Sequence, residues 1–257
     1  IILIMKNILI TGGAGGIGLE IVHYFEKKNF NIIILDKTSK KNFKTNFKKP
    51  KKNIIYFEVD LLKVKITEKK IQDIISKYKT IDILINCAGI QYISAVENFP
   101  TKEWKKVIDI NLTSSFITSK TIIPVMKKNK WGRIINISSV HGLVASENKS
   151  AYVASKHGLI GLTKAIALEL SKTRITCNAI SPGWVLTPLV EKQIKKLASK
   201  NKTSIELEKK NLLFEKHPNQ KFVSGKEIAS LVNFLISKDA QNITGSSYSI
   251  DGGWISV

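Results

Sequence analysis

Short apolar runs rich in Ile, Val and Leu alternate along this chain with longer amphipathic stretches, and that rhythm narrows the fold more than any other feature. The runs read as strands at 6–11, 31–36, 53–59, 81–86, 132–138, 174–181 and 246–250. Their near-continuous apolar character fits parallel strands covered on both faces, rather than a sheet with one wet side. Helical patterns lie between them at about 16–28, 66–78, 101–128, 151–171 and 225–237. Strand and helix in alternation predict βαβ units, hence an α/β fold with a doubly wound Rossmann-type parallel sheet. No linker or internal repeat interrupts the 257 residues, so a single domain over 1–257 is expected.

Two segments break the rhythm. Residues 37–52 are lysine-rich, contain Pro50 and are short for a full crossover, so a solvated loop or brief helix is expected. Residues 187–217 follow a Pro-Gly pair and are long, lysine-rich and weakly amphipathic. An insertion of that kind beside the strand ends predicts a mobile helical lid over a substrate site. Residues 1–4, ahead of Met5, read as an extension.

The first strand runs straight into Gly12-Gly13-Ala14-Gly15-Gly16-Ile17-Gly18 and then into an amphipathic helix. Glycines allow the tight turn and bring backbone N–H groups near a pyrophosphate at the helix N-terminus. A glycine cluster alone is weak evidence, but this one has its strand before it and its helix after it. Asp36 closes the second strand, where an acid accepts hydrogen bonds from both ribose hydroxyls and repels a 2′-phosphate. NAD is therefore the expected cofactor, with Lys37 the one residue pulling the other way. Asp60, after the third strand, is placed to bond the adenine edge. Asn86-Cys87-Ala88-Gly89 ends the fourth, where small residues let a cofactor pass close to the backbone. Alone, either would pass for ordinary turn chemistry.

The chemistry is carried by Ser139, Tyr152 and Lys156. Tyr152 and Lys156 are four apart and share a helix face. An ammonium beside a phenol favours the phenolate, so the Tyr152 pKa is expected to fall from about 10 towards neutrality. Such a group takes a proton from an alcohol or returns one to a carbonyl. Ser139 follows the strand at 132–138, so its hydroxyl is expected at a strand end facing the tyrosine.

Composition mostly excludes. A net charge of +21 raises nucleic acid or an anionic membrane as partners, yet Arg133 and Arg174 are the only arginines. Nucleic-acid sites lean on arginine forks and interleaved aromatics, and the lysines here are spread along the whole chain. Neither nucleic acid nor membrane is expected as a partner. The apolar start, 1–10, is too short to span a bilayer and lacks the pattern of a signal peptide. Cys87 and Cys177 have no metal or redox spacing and read as buried reduced thiols in a cytoplasmic protein. No metal site is expected.

Taken together, Thr11-Gly12-xxx-Gly16-x-Gly18, Asn86-x-Ala88-Gly89, Asn111, Ser139, Tyr152-xxx-Lys156 and Pro182-Gly183 resemble the short-chain dehydrogenase/reductase family over essentially the whole chain. The resemblance implies Tyr152 as acid/base, Ser139 as partner of the substrate oxygen and Lys156 as ribose binder and pKa modifier. It implies that Asn111 holds a water linking Lys156 to solvent, and that Val185 and Thr187 meet the nicotinamide carboxamide. Thr11, Gly15, Ile17, Leu61, Pro182 and Gly183 complete the implied cofactor surface. Cys87 departs from the pattern, because the family commonly has a second asparagine there. A homotetramer is also implied, and the helix after Tyr152 is apolar around most of its circumference, as a subunit contact requires.

Four stretches, AGIQ, VHGLVASENKSAY, CNAISPGWVLTPLVEKQI and DGGW, resemble members of that family that interconvert 3-hydroxybutyrate and acetoacetate with NAD. On that resemblance Gln91, His141, Lys149 and Gln193 hold a substrate carboxylate while Trp184 and Trp254 wall a small apolar pocket. A short hydroxy acid needs such an arrangement, with charge-assisted donors at one end and an acid/base at the other. The rival expectation is reduction of a 3-oxoacyl group on a carrier protein, which would suit the positive charge. Asp36 and the two tryptophans count against it.

Overall fold

The computed structural model describes residues 5–46 and 51–256. The described residues hold seven parallel strands: β1 (Lys6–Thr11), β2 (Phe30–Asp36), β3 (Ile54–Glu58), β4 (Ile83–Asn86), β5 (Gly132–Ile137), β6 (Ile175–Pro182) and β7 (Ser247–Ile250). They pair in the order β3-β2-β1-β4-β5-β6-β7. The helices are α1 (Gly16–Phe25), α2 (Lys40–Asn46), α3 (Val64–Tyr78), α4 (Thr101–Ile108), α5 (Ser114–Lys128), α6 (Ser150–Glu169), α7 (Pro188–Asn201), α8 (Ile205–Lys216) and α9 (Gly225–Leu235).

Successive strand residues point to opposite faces, and the sheet carries a separate core on each. Ile8, Ile10, Ile32, Ile34, Ile83 and Ile85 pack with Ile21, Phe25, Phe43 and Val232 under α1, α2 and α9. Leu9, Ile33, Leu35, Leu84 and Ile134 pack with Ile71, Ile74, Ile122, Met126 and Ile166 under α3, α5 and α6. Burial of each such side chain stabilises the fold by about 1.5–3 kcal/mol. A polar residue at any of these central positions would leave one core unfilled.

The order of strands reverses between β1 and β4, and ligands of open α/β sheets bind in the crevice outside the strand ends at that switch point. Thr11, Asp36, Asn86 and Pro182 all end their strands on that edge.

The helix expected over 101–128 is two helices joined by a π-helical turn, Asp109–Thr113. Buried Asn111 sits in that turn. Its Oδ1 accepts from the Ile90 N–H, and its Nδ2 donates to the Ile90 carbonyl and to Ser155. Two main-chain bonds to a loop outweigh one regular helical turn, and a single inserted residue leaves little trace in an apolar period. The segment 187–217 is the helical pair α7 and α8, broken at Lys202, whose φ of 54° is left-handed. Thr187 caps α7 and Ser204 caps α8. Within 37–52 the brief helix α2 is present; residues 47–50 lie outside the described residues, as do 1–4.

Candidate active site

The crevice begins at the glycine turn. Gly12 has a φ of 70°, and a Cβ there would stand 2.7 Å from the Ala88 Cα; on Gly18 it would stand 2.2 Å from the Gly12 carbonyl oxygen. These two glycines let β1, α1 and the end of β4 close on one another. Gly15 is different: a Cβ there would meet nothing within 4 Å. No side chain caps α1 at Gly15, and no acid occupies its first turn. A helix start left open in this way, facing a cavity, is built for an anion.

That cavity, about 380 Å³, is lined by Gly12, Gly15, Gly16, Ile17, Gly18, Asp36, Asp60, Leu61, Ala88, Gly89, Tyr152, Lys156 and Thr187, along with Lys37 and Cys87. The Asp36 carboxylate accepts from the Ala14 N–H at 3.1 Å and the Thr38 N–H at 2.9 Å, so it is held at the rim. Thr11 and Asn86, expected among the cofactor residues, lie behind the wall rather than in it. The Thr11 hydroxyl accepts from the Cys87 and Ala88 N–H groups, and Asn86 donates to Asn136 at 2.8 Å. They shape the cofactor surface from the back.

Beside this cavity lies a pocket of about 110 Å³, formed by Gln91, Ser139, His141, Lys149, Tyr152, Pro182, Gly183, Trp184, Val185, Thr187 and Trp254. A third space of about 790 Å³ opens beyond it, under α7 and α8, and shares Lys149, Trp184, Val190 and Trp254 with the pocket. Gln193 lines that larger space, and its amide donates to the side-chain oxygen of Gln91. Seven of the eight expected substrate residues therefore meet in the pocket, and the eighth bonds to one of them.

Tyr152, the expected acid/base, lines both the cavity and the pocket, and its ionisation is shifted the other way. Tyr152 and Lys156 share a face of α6, with the ammonium 5.6 Å from the phenol ring centroid. That ammonium donates to the Ile137 carbonyl at 2.7 Å. Burial pushes the Tyr152 phenol up, a hydrogen bond from Ser139 pulls it down, and burial prevails. The expected fall towards neutrality is thus reversed. Lys156 is itself lowered to about 8 by burial, against the opposing pull of the Cys87 thiol.

Ser139 ends the loop after β5 and accepts from the His141 N–H at 3.2 Å. The His141 ring lies between hydroxyls, Nδ1 at 3.4 Å from Ser139 and Nε2 at 2.8 Å from Ser146. Burial first, then Lys149, Lys216 and His157, lowers His141 to about 3, so its imidazole is neutral at physiological pH. Lys149 is lowered to about 8 by burial and by Lys216, with Glu215 opposing, and its ammonium sits 4.7 Å from the centroid of the Trp184 ring. Trp184 and Trp254 stack at 5.8 Å with an interplanar angle of 30°. Sequence reasoning missed Ser146, Leu189 and Val190, which are ordinary loop and helix residues without a motif to mark them.

An uncapped helix start beside an acid-tipped strand, next to a serine, a tyrosine and a lysine in one cleft, defines an alcohol/ketone oxidoreductase site. The chain belongs to the short chain dehydrogenase family, whose model matches residues 6–198. It is 43% identical to a D-beta-hydroxybutyrate dehydrogenase of Cupriavidus necator over 97% of this chain and 98% of that one. A second D-beta-hydroxybutyrate dehydrogenase, from Rhizobium meliloti, is 40% identical over 97% of this chain and 98% of its own. Among solved structures, 4-hydroxyisoleucine dehydrogenase complexed with NADH superposes with a TM-score of 0.88 at 35% identity, covering 98% of this chain and 99% of that one.

Proposed function

We propose that the protein catalyses the reversible, NAD-dependent oxidation of (R)-3-hydroxybutyrate to acetoacetate. One observation carries this reading. Lys149, His141 and Gln91 converge with Tyr152 and Ser139 on a pocket of about 110 Å³ walled by Trp184 and Trp254. Carboxylate donors at one end, a proton-transfer group at the other and bulky walls between suit a short 3-hydroxy acid better than a long acyl chain. The similarity to the two D-beta-hydroxybutyrate dehydrogenases supports the same substrate.

A nicotinamide dinucleotide fits the larger cavity. The open start of α1 and the empty space at Gly15 suit its pyrophosphate, and Asp36 suits an unphosphorylated ribose, which favours NAD. Lys156, Thr187 and Val185 would hold its nicotinamide end. Bound there, the oxidised cofactor would accept hydride from C3 of the acid and add a positive charge that favours the Tyr152 phenolate.

The rest of the work falls to side chains of this protein. Lys149 pairs with the substrate carboxylate while Gln91, itself held by Gln193, donates a hydrogen bond and fixes its rotation. His141, neutral and braced by Ser146, donates or accepts without adding charge. Ser139 donates to the substrate oxygen, and Tyr152 takes the hydroxyl proton during oxidation or returns it during reduction. Lys156, anchored on Ile137, supplies a proton donor behind the phenol, and Asn111 fastens the 90-loop beside it.

The outer strip of α6, with exposed Ala154, Gly161, Ala165 and Leu168, supports a homotetramer built on helix pairing. The free thiols Cys87 and Cys177 suit a cytoplasmic setting. No helix among the described residues is long and apolar enough to cross a membrane.

The test is a spectrophotometric screen of NAD and NADP against short 3-hydroxy acids of both hands. Turnover of the (R) four-carbon acid with NAD is expected. Activity confined to NADPH and 3-oxoacyl thioesters would transfer the assignment to a carrier-protein reductase.

A further inference from the structure

His217 follows directly on the last residue of α8, in none of the motifs above, yet it is fully buried. Its ring is fixed by two hydrogen bonds of opposite sense. Nδ1–H donates to the Lys221 carbonyl at 2.9 Å, and Nε2 accepts from the main-chain N–H of Trp184 at 2.8 Å. The ring rests on Gly183, where a Cβ would stand 2.5 Å from Nε2, and its centroid lies 5.7 Å from that of Trp254. Trp184 is held from its other side as well, since its carbonyl accepts from the Val223 N–H at 2.9 Å. The segment leaving the lid thus grips both main-chain polar groups of the residue that walls the catalytic pocket.

We infer that His217 is a positioning residue that sets substrate size, holding the Trp184–Trp254 wall through its Nε2 acceptor. This rests on the proposed oxidation of 3-hydroxybutyrate. His217 touches neither the cofactor cavity nor the reacting atoms, and it acts through the two tryptophans. It also joins the lid to that wall, because the His217 N–H closes the last turn of α8 on the Leu213 carbonyl at 2.7 Å.

The two amide variants separate its two bonds. In His217→Gln the amide reaches the position of Nε2 and can still accept from Trp184. In His217→Asn the amide reaches only the position of Nδ1, which keeps Lys221 and leaves the Trp184 N–H unpaired. The readouts are KM and kcat for 3-hydroxybutyrate, the ratio of kcat/KM for 3-hydroxypentanoate to that for 3-hydroxybutyrate, and KM for NAD. The circular-dichroism couplet of the stacked tryptophans is recorded without substrate.

His217→Asn is expected to raise KM for the acid roughly tenfold, as loss of one buried acceptor predicts. It should also lift the chain-length ratio and weaken the couplet, while KM for NAD holds. His217→Gln is expected to stay near wild type in all of these. Equal behaviour of the two variants would overturn the inference. So would a His217→Asn protein that fails to fold while His217→Gln folds, since Nε2 would then serve the fold as a whole. If wild type does not oxidise 3-hydroxybutyrate, the functional proposal fails, and the couplet still decides whether His217 positions the wall.

Discussion

The Lys156 ammonium and the Ile137 carbonyl oxygen meet at 2.7 Å, tying the helix that carries Tyr152 to the end of the strand before Ser139. Lys156 therefore has a structural bond as well as a chemical place. Tyr152→Phe removes only the ionisable oxygen, so kcat should fall by about 10²–10⁴-fold with dinucleotide affinity kept. Lys156→Met should lower kcat and weaken dinucleotide binding together. Energy transfer from tryptophan to bound NADH measures the affinity, and steady-state rates measure the rest. Retained turnover in Tyr152→Phe would remove Tyr152 from the mechanism.

Two neighbouring glycines should respond in opposite ways. Gly15 has an extended backbone that any residue adopts and open space where a Cβ would go. Gly15→Ala should keep its melting temperature and lose cofactor affinity, because the new methyl group stands where the pyrophosphate is expected. Gly18→Ala places a methyl group 2.2 Å from the Gly12 carbonyl oxygen and should lower the melting temperature itself. Calorimetry with and without NADH separates the two cases.

On the proposed function, Lys149 should give binding of the acid a pH dependence with a defined sign. Its pKa is lowered to about 8, so the ammonium predominates below that pH and the neutral amine above it. Binding of a carboxylate needs the charged form. The inhibition constant of butyrate, which has no hydroxyl to react, should be flat at lower pH and then rise about tenfold per pH unit above the transition. A bound carboxylate favours the ammonium, which moves the transition upward in the complex. Lys149→Met should bind butyrate weakly at every pH, and a wild-type profile flat through pH 8 to 10 would remove Lys149 from the clamp.

Asp36 should set the choice between dinucleotides through its charge. Asp36→Asn keeps an acceptor for one of the two backbone N–H groups but drops the negative charge that faces a 2′-phosphate. The ratio of kcat/KM for NAD to that for NADP should fall by roughly tenfold or more, as removal of one charge-based discriminator predicts. An unchanged ratio would place the discrimination elsewhere, with Lys37 the next residue to vary.

The parts of the molecule written in the sequence are those that depend on period and spacing. All seven strands lie within two residues of the expected bounds, because buried parallel strands leave unbroken apolar runs. The four-residue step from Tyr152 to Lys156 does fix a shared helix face. What spacing cannot carry is the surroundings that decide a charge. Burial of Tyr152 outweighs the hydrogen bond from Ser139, and the Lys156 ammonium donates to Ile137. The π turn at Asn111 escapes for a related reason, since it is stabilised by a loop twenty-one residues away. His217 escapes altogether: nothing about one histidine after a lysine-rich helix tells which main-chain N–H its ring will meet.

The pocket of about 110 Å³ lies between its two neighbours, sharing Tyr152 and Thr187 with the cavity of about 380 Å³ and Lys149, Trp184 and Trp254 with the space under α7 and α8. Those outer spaces have no lining residue in common. If a dinucleotide fills its side, the space under α7 and α8 is left as an approach for the acid, and Lys149 lines both that space and the pocket. On the proposed function, cofactor and acid would then reach the pocket from opposite sides. A lysine that held the substrate there would also be the one its product must leave.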